Sequence, residues 1–170
     1  MNLRILGLDP GLRATGWGVI DAEGNQLKFV ADGVVCPDKT RPLSDRLKEL
    51  FTGLNDMIAV YGPSECAIEE SFVSRNSGST LKLGHARGIT LLVPATLGLV
   101  VAEYTPNLVK KSVVGVGHAG KEQVKAMVQV LLPGCTPTNT DSADALAVAI
   151  CHAHHRATSR RVSAARTNVF

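Results

Sequence analysis

Aromatic side chains are scarce: Phe, Trp and Tyr make up 4% of the 170 residues, while hydrophobic residues as a whole reach 45%. The apolar content suffices for one full core, and that core must be aliphatic. An exposed aromatic would therefore call for a functional reason. Cysteine is sparse too. Cys36, Cys66, Cys135 and Cys151 include no C-x-x-C pair, which argues against a disulfide framework or a zinc finger. No apolar run is long enough to span a bilayer, since residues 89–102 are interrupted by Pro94 and Gly98. The apolar start is broken by Arg4 and stops at Asp9, so it does not read as a signal peptide. These absences point to a soluble cytoplasmic protein with no membrane partner, and the length to one domain.

The net charge of +3 says little, but its distribution says more. Between Ser71 and Thr140 there are seven Lys or Arg against two acids, and from Arg156 onward four Arg and no acid. Such runs are either a solvated face or a polyanion-binding surface.

The order of elements follows from periodicity. Short apolar runs at Leu3–Asp9, Thr15–Ile20 and Gln26–Val35, joined by brief turns, predict an antiparallel meander. Leu43, Leu47, Leu50, Leu54, Met57, Ile58 and Tyr61 form a helical stripe that Gly62-Pro63 ends. Strands are expected at Glu65–Glu69 and Leu99–Glu103, with a helix from Ser79 to Pro94 between them. Helices are expected at Asn107–Val114, Lys121–Leu132 and Thr140–His154, and a loose tail beyond Arg156. The fold class is therefore α/β: a mixed five-stranded sheet flanked by helices, the element order of the RNase H-like fold. The globular domain would cover residues 1–155 and the tail 156–170.

Four acids occupy unusual positions. Asp9 and Glu69 each end an apolar strand, and Asp141 and Asp144 open the last helix on one face. If the two strands are neighbours and that helix packs on their ends, four carboxylates converge. Two such charges about 4 Å apart repel by roughly 4 kcal/mol at an effective dielectric near 20. A cluster of this kind must stay partly protonated or hold cations, and oxygen-only ligands favour Mg²⁺ or Mn²⁺. Two ions could then clamp the attacking and leaving oxygens of a phosphodiester. The plainer readings are first-turn acids at a helix N-terminus for Asp141 and Asp144, and a turn former for Asp9. Glu69 and Glu70 alternate along a strand, so only one can face the cluster. Gly11, Gly16 and Gly18 lack a phosphate-loop signature and are read as permitting a tight first hairpin. Cys151, His152, His154 and His155 are read as a helix C-terminus, where the dipole favours histidine, rather than as a zinc site.

Several segments carry a resemblance in the same order along the chain. They are Leu6-Gly7-Leu8-Asp9-Pro10-Gly11, Thr15-Gly16-Trp17-Gly18-Val19 and Ala67-Ile68-Glu69-Glu70-Ser71-Phe72. They continue with Leu81-Lys82-Leu83-Gly84-His85-Ala86-Arg87-Gly88, Val109-Lys110-Lys111-Ser112-Val113-Val114-Gly115 and Asp141-Ser142-Ala143-Asp144-Ala145-Leu146-Ala147. Together they resemble the RuvC family of crossover-junction endodeoxyribonucleases, up to about His155. Residues 74–78 and the Arg-rich end match poorly.

The resemblance implies a homodimer that binds four-way junction DNA and nicks two opposing strands symmetrically with Mg²⁺-activated water, in recombination and repair. It implies two Mg²⁺ per subunit, replaceable by Mn²⁺, held by Asp9, Glu69, Asp141 and Asp144, and cooperation with RuvA and RuvB. It brings Lys110 and Lys121 near the scissile phosphate, with Lys111 beside Lys110 as a further DNA contact, and Phe72 to unpaired bases at the junction. Without the four acids, 18 basic residues face 11 acidic ones, a balance suited to a polyanion. Three other functions fit parts of the sequence. Asp9-x-Gly11 with Gly16 is similar to the phosphate loop of sugar kinases and actin-like ATPases, although those pair two domains. A nuclease for structured RNA and a junction-binding protein without catalysis are the other two.

Overall fold

The computed structural model describes residues 2–70 and 77–167, and the side chains of residues 2–70 and 78–156. Five strands form one sheet: β1 (Leu3–Asp9), β2 (Thr15–Glu23), β3 (Gln26–Val35), β4 (Glu65–Glu69) and β5 (Val100–Tyr104), in the order β3-β2-β1-β4-β5. β1 pairs antiparallel with β2 and parallel with β4, and β3 extends the meander on the β2 side. The mixed sheet expected from the order of elements is thus the one observed. The helices are α1 (Leu43–Tyr61), α2 (Ser77–Thr96), α3 (Pro106–Val114), α4 (Lys121–Leu131) and α5 (Thr140–Thr167).

Local chemistry explains the boundaries. Gly62 takes φ 57° and its N–H donates to the Ile58 carbonyl, which ends α1 in the left-handed cap before Pro63. Thr105 caps α3 through its hydroxyl, and Pro106 opens the helix where a missing N–H costs nothing.

The sheet separates two cores because side chains alternate across it. Leu6, Leu8, Val19, Cys66 and Ile68 point to one face, where Leu50, Leu54, Met57, Ala86 and Val93 of α1 and α2 cover them. Ile5, Ile20, Ala22 and Ala67 point to the other, under α3, α4 and α5. The aliphatic core expected from the scarcity of aromatics is what fills both faces. Cys36 is exposed, the other three cysteines are buried, and all four are free. Among the described residues no helix is long and apolar enough to cross a membrane.

Two expectations need correction. α2 continues through Pro94 to Thr96. α5 does not stop near His154 but runs on to Thr167, so the stretch read as a loose tail is helical over residues 156–167. The histidines at 152, 154 and 155 therefore do not sit at a helix end, and the dipole reason offered for them lapses.

Candidate active site

The arrangement starts from three glycines. Gly7 on β1 lies directly across from Gly18 on β2, and Gly16 shares Gly18's face two residues earlier. A Cβ on Gly7 would stand 2.0 Å from the Ala145 carbonyl oxygen, and one on Gly16 would stand 2.1 Å from that of Asp141. On Gly18 it would meet Leu146 at 2.6 Å. The three form a floor without side chains on which α5 lies close enough for its own backbone to touch the sheet. Gly11 does serve the first hairpin, where a Cβ would come within 2.3 Å of the Ala14 carbonyl. Gly16 and Gly18 do not; they admit the helix.

Alternation then aims the acids. Asp9 continues the Ile5, Gly7 face, and Glu69 continues the Glu65, Ala67 face, so both point toward α5. The parallel register joins Leu8 to Ile68 and brings the two strand ends side by side. Asp9, Glu69 and Asp144 line one cavity of about 220 Å³ together with Lys110, Lys121, Pro106, Val109, Val124 and Ala147. Asp141 is not in that lining. Its backbone rests on Gly16, the partner of Asp9 across β1 and β2, and its charge reaches Asp9.

Electrostatics mark the cavity as short of positive charge. Burial, and then the negative charges of Glu69, Asp144 and Asp141, push the Asp9 carboxyl up to about 8 despite Lys121. Glu69 rises to about 7, through burial first and Asp144 second, against the pull of Lys110 and Lys121. Lys121 donates from Nζ to Asp144 Oδ2 at 3.1 Å, and this bond with its attraction raises the Lys121 pKa. The lysine side chain is 68% exposed, so the pair is weakly held and can be exchanged. As the side chains stand, no group of three or more His, Cys, Asp or Glu among the described residues is arranged to hold a metal ion. The donor chemistry nevertheless fits a hard divalent cation. The donors on offer are all carboxylate oxygens, those of half-buried Asp9 and Glu69 have their charge suppressed by burial and then by neighbouring acids, and an ammonium already rests on Asp144.

The two adjacent lysines part company. Lys110 faces the acidic cavity, whereas Lys111 lines a separate depression of about 380 Å³ with Leu108, Ser112, His154 and His155. Phe72 lies outside the described residues. Glu70 follows the strand, with its backbone N–H donating to the Tyr104 carbonyl at 2.8 Å.

Sequence reasoning missed a polar network under α5. Glu65 accepts from His152 Nε2 at 2.7 Å and from Arg156, and the Tyr104 hydroxyl bonds His152 Nδ1 at 2.8 Å. Burial alone would raise the Glu65 carboxyl, but the bonds from Arg156 and His152 outweigh it and hold it low. The available signal was spacing: Glu65 is two and four residues from Ala67 and Glu69 on one strand face, and His152 and Arg156 are four apart on one helix face.

Comparison with known proteins gives the same reading. Residues 5–152 match the family model described as crossover junction endodeoxyribonuclease RuvC. The chain is 60% identical over 163 residues to a protein of that name from Paramagnetospirillum magneticum, covering 96% of this chain and 98% of that one. It is 57% identical over 165 residues to another from Maricaulis maris, covering 97% and 99%. Among solved structures it is similar to Thermus thermophilus RuvC in complex with Holliday junction substrate. The TM-score is 0.86 and the identity 30%, over 92% of this chain and 96% of that one. The yeast mitochondrial Holliday junction resolvase Ydc2 shares the fold at a TM-score of 0.68 and 11% identity, over 97% and 84%. With residues 5–152 matched by the family model and nearly its whole length matched by these relatives, the chain belongs to the RuvC family of crossover junction endodeoxyribonucleases.

Proposed function

We propose that the protein resolves four-way DNA junctions by metal-dependent phosphodiester hydrolysis, acting as a homodimer that nicks two opposing strands. The observation that carries this reading is the meeting of acids from β1, β4 and α5 in one cavity walled by two lysines. Asp9, Glu69 and Asp144, with Asp141 beside them, would hold Mg²⁺ or Mn²⁺, two ions per subunit. Metal bound there supplies an activated water and a counter-charge for the phosphate.

The protein's own groups do the rest. Burial and neighbouring acids oppose the charged forms of Asp9 and Glu69, and a cation binding there would draw protons off them as it arrives. Lys110 and Lys121 offer ammonium groups to the phosphate oxygens and to the charge that develops as the bond breaks. Lys121 must exchange Asp144 for the phosphate, which its exposure makes inexpensive. Pro106, Val109, Val124 and Ala147 form an apolar wall that limits water around the reacting phosphate. Lys111 would meet an outer DNA backbone rather than the scissile one, and Phe72 would stack on an unpaired base. Exposed Leu81 and Leu92 on α2 supply apolar surface of the kind a second subunit would cover. RuvA and RuvB are the expected partners, and the cytoplasm the expected location.

The test is cleavage of a four-way DNA junction in Mg²⁺ or Mn²⁺, with Ca²⁺, excess chelator and a folded RNA as comparisons. Paired nicks that need Mg²⁺ or Mn²⁺, with Ca²⁺ supporting binding but little turnover, are expected. Full activity in chelator would overturn the mechanism, equal cleavage of the RNA would favour the structured-RNA nuclease, and junction binding without nicks would favour the silent binder.

A further inference from the structure

α5 carries Asp141 in its first turn and Asp144 just after it, so the position of the helix start sets where two of the four carboxylates stand. The segment leading into it is tied to the far edge of the sheet. One oxygen of Asp32 on β3, Oδ2, accepts from both the backbone N–H and the hydroxyl of Thr138, each at 2.7 Å. The tie joins residues 106 apart in sequence, three positions before Asp141. Asp32 lies across from Gly18, which lies across from Gly7, so it shares the sheet face that carries the glycine floor and Asp9.

The other constraints on this turn differ in kind. Ser142 N–H donates to Asn139 Oδ1 at 2.8 Å and Asn139 N–H donates to Ser142 Oγ at 3.1 Å. This pair closes the turn on itself without linking it to the sheet. The contact of Gly16 with the Asp141 backbone limits how near the turn can come, but a repulsive contact does not stop it sliding. A charge-assisted bond in a fixed direction does.

We propose that Asp32 is a positioning residue for the acidic site. Through Thr138 it holds the first turn of α5 at the height and rotation that let Asp141 and Asp144 share a divalent cation with Asp9 and Glu69. Its action is on metal affinity and geometry, with no contact to the reacting atoms. The inference rests on the metal-dependent reading above.

The experiment measures Mn²⁺ binding to the full-length metal-free chain by the loss of the free-ion electron paramagnetic resonance signal, with Asp9→Asn as the blank for the site. Asp32→Ala is expected to weaken Mn²⁺ binding about ten-fold, the scale seen when partners that orient metal ligands are removed. Asp32→Asn keeps an oxygen that can accept both bonds and should stay within about two-fold of the unaltered chain. Asp21→Ala, which breaks the Arg4–Asp21 pair at 2.8 Å on the opposite end of the sheet, should lower the melting temperature and leave Mn²⁺ binding unchanged. If Asp32→Ala fails to fold, Thr138→Val removes only the hydroxyl bond and should weaken binding about three-fold, less than Asp32→Ala because the backbone N–H bond to Asp32 remains. Unchanged Mn²⁺ affinity in folded Asp32→Ala, or in folded Thr138→Val should that variant be needed, overturns the positioning role and leaves the metal-dependent reading intact. No Mn²⁺ binding above the Asp9→Asn blank in the unaltered chain overturns both.

Discussion

The two faces of the sheet are packed by opposite rules. Under α1 and α2 the sheet presents Leu6, Leu8, Val19 and Ile68 to Leu50, Leu54 and Val93, all fully buried. Under α5 it presents Gly7, Gly16 and Gly18, and the helix answers with Ala145, Leu146 and Ala149. The first face gains stability from large aliphatic area. The second gives up side-chain volume to bring backbones together, and in return a helix end can be set against strand ends. Polar groups concentrate on that second face: Asp9, Glu69 and Asp144 at one end, Glu65, His152 and Arg156 farther along. Both faces bury an aliphatic core, the second around Ile5, Ile20, Leu146 and Ile150, but only the second also holds charges in register.

The sharpest break of this contrast is at Glu69. Glu69→Gln keeps the size and removes a ligand charge, so cleavage should fall by more than about a hundred-fold while folding and junction binding persist. Glu70→Gln should cost far less. Rates measured on single turnovers separate the two, and the reverse ranking would mean that the β4 face is misassigned.

On the opposite face, Leu54→Ala should lower unfolding stability by about 2–5 kcal/mol and leave the metal concentration for half-maximal cleavage unchanged. A shift in that concentration would show that the faces are coupled rather than divided in labour.

Gly16→Ala tests the glycine floor. The added Cβ meets backbone, not a flexible side chain, so α5 must move. An overpacking cost of about 1–3 kcal/mol is expected, together with a loss of cleavage larger than that of Leu54→Ala at equal stability. Denaturant titrations and cleavage assays on both variants provide the comparison, and equal activities would remove the floor's role in the site.

The smallest effect is on pH. Asp9 at about 8 and Glu69 at about 7 both lie above their ordinary values of 3.8 and 4.5. Raised carboxyls bind protons more tightly in the folded state, so their contribution is complete below about pH 4 and is lost as pH rises through about 7 to 8. The metal-free protein should therefore melt at a lower temperature at pH 8.5 than at about pH 6. Asp9→Asn should flatten that slope; a slope unchanged in the variant would contradict the burial of Asp9.

Much of this was legible beforehand because the signals are local. Acids that end apolar strands, a Gly-Pro helix stop and a stripe at helical spacing each report on their own neighbourhood, and the strands, most helices and the carboxylates followed. The failures arose where a local signal had two uses. Gly16 and Gly18 read as turn formers because glycine permits turns, yet in β2 they make room for a helix from the other end of the chain. His152 read as a helix-end residue because the apolar period fades after it, yet Glu65 and Tyr104 surround it.

By itself the sequence determined the alternation that puts Asp9 with Gly7 and Glu69 with Ala67, since a strand's two-residue period allows no other choice. It also determined that these acids would sit in apolar surroundings. Only the tertiary structure decided which helix covers that face, that Asp144 and not Asp141 lines the cavity, and that Asp32 reaches Thr138. Those outcomes depend on distances between segments far apart in the chain, and they are set by how closely two backbones can approach once the side chains between them are gone.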